Sequence, residues 1–252
     1  MAEGKSRLAA IGGVVALLTG VVGLAGASVS LFDRFKPNES DAPAVEKLEG
    51  APAVIDGYMS GPAFVDLWTK SLFCLDYDAA NTSCEVVLSL QQRGPRNVRS
   101  RETRTASIEG AMSQALGAIV EADAAGRGQP TPAGMGHVET IDYEITREGI
   151  CTTNAALEKA AATVDAYAFP PGDAPQVPLT AASLTKFRAE LAVLYRNLAV
   201  GEQCWRYRQV PGKANDLVGD YFIDGVRQPD DTVTWKVLPK DAEVGWHLPK
   251  AG

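Results

Sequence analysis

The stretch that decides the fold is residues 204–238, CWRYRQVPGKANDLVGDYFIDGVRQPDDTVTWKVL. Three runs rich in β-branched and aromatic residues predict strands there, namely 204–210, 217–223 and 232–238. Asp224-Gly225 predicts a type I′ hairpin turn, because both central residues of that turn need a positive φ angle. Pro229 is expected to end the short strand that follows the turn, and Asp230-Asp231 to turn the chain again. The stretch therefore predicts an antiparallel meander.

A helix is predicted immediately before the meander, over residues 180–199. Its apolar residues recur at helical spacing at Leu184, Phe187, Leu191, Leu194 and Leu198. Thr180 is expected to cap its N-terminus. Two heptads are too few for a coiled coil, so this helix is expected to pack on the protein's own sheet.

The preceding part of the chain alternates helical and strand patterns. Helices are predicted at 62–73, at 107–124 and directly after Cys151, and strands at 84–90 and 138–147. Thr152 or Thr153 is expected to cap the short helix after Cys151. Helices beside an antiparallel sheet indicate an α+β fold.

The predicted fold class is α+β, with a single N-terminal transmembrane helix followed by a disulfide-stabilised domain of helices packed on antiparallel sheet. The predicted divisions are a basic flank (1–7), a transmembrane helix (8–32), a flexible tether (33–52), a first α+β part (53–168), a Pro-rich connection (169–178) and a part with one helix and the meander (179–252).

The transmembrane prediction rests on residues 8–32, which contain no charge and are mostly apolar. A helix of this length spans about 37 Å, more than the ~30 Å hydrocarbon core of a bilayer. A signal peptide cleaved near Ala25-Gly26-Ala27 is the alternative. The apolar run exceeds the usual length of a signal peptide and continues to Phe32, which favours an uncleaved anchor.

Small residues at Gly12, Ala16 and Gly20 would form one ridge of that helix. Such a surface permits close contact between membrane helices, so it indicates self-association or a protein partner in the bilayer. The alternative is that glycine is simply frequent in membrane helices.

The net charge of −7 is unevenly distributed along the chain. Residues 1–37 carry a net +2 and the remaining residues a net −9. A domain with that negative balance repels phosphates overall, so the sequence predicts no nucleic-acid partner. The bilayer itself and a protein are the expected partners.

All four cysteines lie in the part after the apolar segment, with no CxxC pair. An even number there favours disulfides in an oxidising compartment, and the favoured pairs are Cys74–Cys84 and Cys151–Cys204. Four buried, reduced cysteines are the alternative. Together with the anchor, the disulfides place the protein in a bacterial inner membrane as a single-pass protein with its C-terminal domain in the periplasm.

Two groups of arginines are candidate binding residues. The first is Arg93, Arg96, Arg99, Arg101 and Arg104, whose guanidinium groups suit acidic partners, lipid headgroups or cell-wall polymers. A solvated hairpin or loop is the alternative. The second is Arg206 and Arg208, which strand alternation places opposite Trp205 and Tyr207, on an open sheet face.

Motifs for catalysis are lacking. The sequence has no GxSxG, HExxH or GxxxxGK[ST] pattern, and its only histidines are His137 and His247. The aspartates around the last hairpin do not have the spacing of a calcium loop. No cofactor and no metal are predicted. The predicted function is a membrane-anchored extracytoplasmic binding or assembly module, such as an accessory subunit of a bacterial envelope complex. The alternatives are an envelope hydrolase or transferase and a cytoplasm-facing domain with reduced cysteines.

Overall fold

A computed structural model describes residues 54–108, 114–172, 174–197 and 201–249. The predicted flank 1–7, membrane helix 8–32 and tether 33–52 lie outside these residues, and so do Gly12, Ala16 and Gly20. Within the described residues, no helix is both long and apolar enough to cross a membrane.

The described residues contain four helices and fourteen strands. The helices are α1 (Gly61–Thr69), α2 (Gln114–Gly126), α3 (Asn154–Ala161) and α4 (Ala181–Arg196). The strands are β1 (Val54–Ile55), β2 (Tyr58–Met59), β3 (Ser71–Leu75), β4 (Ser83–Cys84), β5 (Val86–Gln92), β6 (Asn97–Ser107), β7 (Gly134–Ile145), β8 (Ile150–Thr152), β9 (Asp165–Phe169), β10 (Val177–Pro178), β11 (Gln203–Val210), β12 (Lys213–Ile223), β13 (Val226–Pro239) and β14 (Gly245–Trp246).

Ten strands form one antiparallel sheet in the order β10-β9-β7-β6-β5-β3-β13-β12-β11-β8. Strand β8 also pairs with β7, so eight of the strands close into a barrel-like ring, from which β9 and β10 extend. Strands from both sides of the Pro-rich connection 169–178 lie in this sheet. The predicted combination of helices with antiparallel sheet is confirmed, and the closure of the sheet is additional to it.

The core lies between the inner face of the ring and the helices. Residues of β6 alternate between the two faces, and the even-numbered positions from Val98 to Ala106 are buried. Trp205 and Tyr207 also belong to the core, and the ring of Tyr207 stacks on that of Phe64 in α1 with centroids 3.8 Å apart. The sheet therefore buries one face against helices, as the alternation predicts.

The helix predicted over 180–199 is confirmed as α4 over Ala181–Arg196, and Leu198 of its predicted apolar residues lies outside the described residues. Phe187 and Leu191 are buried, and Thr180 caps the helix by accepting a hydrogen bond from the Ser183 amide at 3.4 Å. Thr153 caps α3 in the same way through the Ala156 amide. Both caps satisfy amides that the first helical turn leaves without a partner.

The prediction of one helix over 62–73 is wrong at its C-terminal end. Helix α1 ends at Thr69, and β3 follows with all five of its residues buried. Phe73 joins the core, whereas Cys74 faces the other way into a disulfide. Burial on both faces explains why an apolar run without alternation forms a strand here.

The predicted hairpin turn is confirmed, with φ of 48° at Asp224 and 78° at Gly225. The prediction that Pro229 ends the next strand is wrong, because β13 continues to Pro239. The pairing register jumps at this point, so residues 229–232 bulge opposite Asp220. A bulge needs no ladder hydrogen bond from proline, which explains why the strand tolerates it.

Both predicted disulfides are present, and no cysteine among the described residues is free. Cys74–Cys84 joins β3 to β4, and Cys151–Cys204 joins directly paired residues of β8 and β11.

Candidate binding site

The first group of predicted arginines lies on the hairpin formed by β5 and β6, with Arg93 in its exposed connection. Two of them are held by carboxylates of β7. Arg99 donates two hydrogen bonds to Asp142, at 2.7 and 2.9 Å, and Arg96 pairs with Glu144. Because Arg96 and Arg99 are paired with carboxylates of the same chain, their guanidinium groups are less available to an acidic partner.

Arg104 points to the opposite face from Arg99 and is buried in the core. It pairs with Glu102 and, at 2.9 Å, with Glu139. Tyr143 donates to Glu102 at 2.9 Å, and Tyr195 of α4 donates to Glu139. This network fastens α4 to the inner face of the ring and gives Arg104 no access to an external ligand.

The network also fixes the charge of Glu139. Burial alone raises its pKa, but His137, Arg104 and Tyr195 outweigh burial and lower the pKa to about 2. For Arg104, burial lowers the pKa, but the two carboxylates outweigh it and raise the pKa. The ion pairs therefore persist inside the core because each charge has a close partner.

Arg101 occupies a groove on the outer face of the ring. The groove has a volume of about 390 Å³, and it is lined by Leu72, Val87, Ser89, Arg101, Thr103, Ala242, Glu243, Val244 and Trp246. Its floor consists of β3, β5 and β6, and its other wall is the segment 240–249, which we call the C-terminal strap. Among the described residues, neither Arg101 nor Glu243 has an ion-pair partner, in contrast to Arg96, Arg99 and Arg104.

The C-terminal strap is fixed to the sheet along its length. The Gly245 amide donates to Thr82 O at 2.9 Å, and the His247 amide donates to Cys84 O at 3.1 Å, so β14 pairs with β4. Between these two amides, the side chain of Trp246 contacts the rings of Tyr167 and Phe169. The strap is thus a defined wall of the groove rather than a loose end.

A glycine in β7 makes room for the end of the strap. A Cβ atom at Gly134 would lie 2.4 Å from Leu248 Cδ2 and 2.7 Å from Ala106 O. The strap approaches the sheet this closely only because residue 134 has no side chain.

Polar side chains anchor the strap beside β4. Ser83 Oγ lies 2.9 Å from His247 Nδ1, and His247 Nε2 lies 3.6 Å from Asp76 Oδ2. Glu85 follows on the same segment, and burial together with the charge of Asp76 raises its pKa to about 7. Serine, histidine and aspartate can act together in nucleophilic catalysis. Here Ser83 is buried and flanked by the main-chain pairing of the strap, so we assign the group to holding the strap.

Arg206 and Arg208 lie on the outer face of β11, as strand alternation predicts. Arg206 pairs with Glu148, and its guanidinium carbon lies 4.2 Å from the ring centroid of Phe222. Arg208 lies 3.2 Å from Asp220, which is fully buried and also accepts from Arg227. Both predicted binding residues are therefore engaged within the chain.

Asp220 is the buried centre of that outer-face cluster. Burial raises its pKa, but hydrogen bonds from Thr232, Arg227, Tyr58 and Arg208 outweigh burial and lower the pKa to about 2. Tyr58 donates to it at 2.9 Å, which fixes the short β1–β2 hairpin against the ring. Asp220 stabilises the bulge in β13 by accepting hydrogen bonds from Arg227 before it and Thr232 at its end.

A metal centre has little support in the described residues. Among the described residues, the only close group of three potential metal ligands is Cys151, Glu202 and Cys204, and its two sulfur atoms are joined in a disulfide. Two acidic residues of the last meander have partners within the chain. Lys236 contacts Asp216 at 2.9 Å, and Asp224 accepts a hydrogen bond from the Glu202 amide.

The sequence analysis does not predict the buried ion-pair network or the wall of the groove. For the network, the strand period in NVRSRETRTAS (97–107) places Glu102 and Arg104 on the same face as Val98 and Ala106, and this pattern indicates that both charged side chains point into the core. No local sequence pattern indicates that Glu243 and Trp246 line a groove. The C-terminal strap contains only a two-residue strand, and contacts with distant segments determine its position.

Comparison with known proteins adds no assignment to this geometry: no family model, curated protein or solved structure matches the chain.

Proposed function

We propose that the protein is a membrane-anchored binding module on the extracytoplasmic side of a bacterial inner membrane, and that it binds its ligand in the groove beneath the C-terminal strap. In this proposal, residues 8–32 would form the predicted membrane helix, which would hold the module in the bilayer and contact a second copy or a partner subunit through Gly12, Ala16 and Gly20. The domain after it would act as the ligand-binding accessory part of an envelope complex.

One observation carries this proposal. In the groove, the Arg101 guanidinium and the Glu243 carboxylate have no ion-pair partner among the described residues and lie beside apolar side chains, whereas neighbouring arginines have carboxylate partners within the chain. Polar groups that converge on a concave surface beside apolar side chains are typical of small-molecule sites, and the volume is at the lower end of their range.

The disulfides support the extracytoplasmic location. Such bonds persist in oxidising compartments and are rare in the cytosol. The test is mass mapping of the full-length chain isolated with free thiols blocked. We expect bonds between Cys74 and Cys84 and between Cys151 and Cys204, and recovery of four free thiols would contradict this location.

Binding in the groove can be tested with the full-length chain labelled with 5-fluorotryptophan. The chain has four tryptophans, and a Trp246→Phe variant assigns the resonance of the one that lines the groove. A library of small acids, bases, zwitterions and neutral compounds is then screened by fluorine NMR. We expect members of the library to shift the Trp246 resonance.

Two variants locate that binding. Ser89→Tyr should fill the groove and abolish the shifts. Thr234→Tyr introduces the same side chain at an exposed position of β13 that does not line the groove, so it should leave the shifts unchanged. If no compound shifts the Trp246 resonance, or if Ser89→Tyr binds as well as the unchanged chain, the groove is not the binding site.

A further inference from the structure

We infer that the groove binds a small zwitterion, with its carboxylate on Arg101, its ammonium group on Glu243 and its apolar body against Trp246. This inference rests on the proposed function, because it specifies the chemical class of ligand for the same groove.

The carboxylate end of the site is built on β5 and β6. Arg101 is exposed on the outer face and is the direct cross-strand partner of Ser89, and Thr103 follows it on the same face. A guanidinium group binds a carboxylate through two parallel hydrogen bonds. Since no carboxylate among the described residues pairs with Arg101, this capacity remains available to a ligand.

The ammonium end is supplied by the C-terminal strap. Glu243 lines the groove and is exposed, and no basic side chain among the described residues pairs with it. A carboxylate only accepts hydrogen bonds, so a ligand group at this position must donate them. A cationic amine satisfies this requirement and neutralises the charge.

The body of the ligand meets an apolar surface. Leu72 and Val87 contribute from the sheet, and Val244 and Trp246 contribute from the strap. The ring centroid of Trp246 lies 5.6 Å from that of Tyr167 and 6.3 Å from that of Phe169, so the indole is held in place before a ligand arrives. A pre-positioned aromatic wall lowers the entropic cost of binding.

The two charges also exclude other classes of ligand. A phosphate monoester carries about two negative charges, and it would be repelled by Glu243 while it has one guanidinium as partner. A simple amine would meet Arg101 with the same sign of charge. A ligand that carries the wrong charge at either end is therefore repelled, and this repulsion makes the site selective for zwitterions.

The test compares four six-carbon probes by titration against the fluorine resonance of Trp246 in the full-length chain: aminohexanoate, hexanoate, hexylamine and hexanol. The probes share one body and differ only in their ends. We expect aminohexanoate to bind about threefold to fivefold more tightly than hexanoate or hexylamine, and hexanol to bind most weakly, because an ion pair with an exposed side chain contributes up to about fivefold. Shorter and longer amino acids of the same series then measure the separation of the two charges.

Two variants assign the ends. Arg101→Gln should abolish the preference for the carboxylate, and Glu243→Gln should abolish the preference for the amine. The matched controls are Lys186→Gln, on an exposed part of α4, and Asp241→Asn, on the strap outside the groove, and neither should change the preferences. Equal binding of all four probes, or tightest binding of hexanoate, would overturn the zwitterion inference. If the zwitterion inference fails but other compounds of the library still shift the Trp246 resonance, the proposed binding function is retained. If no compound shifts this resonance, both the zwitterion inference and the proposed binding function are contradicted.

Discussion

Glu85 is a buried carboxylate whose environment favours its protonated form. Burial and the nearby charge of Asp76 raise its pKa to about 7, and its Oε1 has no hydrogen-bond partner among the described residues. Glu139 shows the opposite behaviour, because Arg104, His137 and Tyr195 hold its charged form. Two buried glutamates of one domain thus titrate in different pH windows.

These shifts predict how stability depends on pH. The folded-state pKa of Glu85 lies above its ordinary value of 4.5, so its contribution to stability is full below about pH 4.5 and is lost as pH rises through 7. Glu85→Gln should therefore stabilise the protein more at pH 8 than at pH 5, relative to the unchanged chain. Urea unfolding of both chains at the two pH values measures this difference.

Glu139 supplies the internal comparison for that measurement. Its pKa is depressed, so its contribution is present above about pH 4.5 and is lost as pH falls towards 2. Because this window lies below the one tested, Glu139 does not contribute to the difference between pH 5 and pH 8. A Glu85→Gln effect of equal size at both pH values would contradict the assigned pKa shift.

At the residue scale, the sequence identified the arginines but not their roles. Strand alternation separates Arg104 from Arg99 and Arg101, since these positions face opposite sides of β6. What alternation does not specify is the partner. Asp142 and Glu139 lie on the next strand in the sheet but more than thirty positions away in the sequence, and only the register of β6 and β7 brings them together.

The C-terminal strap is the element on which the groove depends. It pairs with β4, and the Cys74–Cys84 disulfide joins β4 to β3 in the groove floor. The disulfide closes a loop of about ten residues, which corresponds to about 3 kcal/mol of stability in the chain-entropy treatment. It therefore fixes both sides of the groove relative to each other.

Removing this disulfide should loosen the strap before the rest of the fold. In the Cys74→Ala, Cys84→Ala double variant, we expect faster hydrogen exchange at the amides of Gly245 and His247, which bond to Thr82 and Cys84. Amides of β11 and β12 should lose less protection than those of the strap, and no more than corresponds to the fall of about 3 kcal/mol in the free energy of unfolding. Uniform loss of protection throughout the sheet would show that the disulfide supports the whole domain and not the strap in particular.

Elements with a repeated pattern were predictable, and elements defined by contacts were not. Helix α4 and the hairpin at Asp224-Gly225 each carry a local signal, which is either apolar spacing or positive φ. Strand β3 resembled the end of a helix, because both of its faces are buried and its sequence does not alternate. Strand β14 has two residues and exists only through its pairing with β4.

For the whole molecule, ring closure depends on the shortest strand of the ring. Strand β8 has three residues, and it pairs with β7 on one side and β11 on the other. The Cys151–Cys204 disulfide fixes it to β11 across a sequence separation of 53, which corresponds to about 4 kcal/mol. Local strand patterns could not reveal this closure, since it pairs β8 with β11, whose directly paired cysteines lie 53 residues apart in the sequence.

Loss of this second disulfide should act on the ring. In the Cys151→Ala, Cys204→Ala double variant, the free energy of unfolding should fall by about 4 kcal/mol, and β8 amides should exchange faster. The variant without Cys74–Cys84 is the matched control, because its early change is expected at the strap. Unchanged protection of β8 would show that the ring closes without the covalent link.

The central claim is that the groove beneath the C-terminal strap is the binding site, and contacts between ligand and groove test it most directly. Intermolecular nuclear Overhauser effects are measured between aminohexanoate and the full-length chain. The account predicts contacts from the ligand methylenes to the Trp246 indole and the Val87 methyl groups, and loss of these contacts in Ser89→Tyr. Contacts that map to another surface, or that persist in the filled groove, would contradict it.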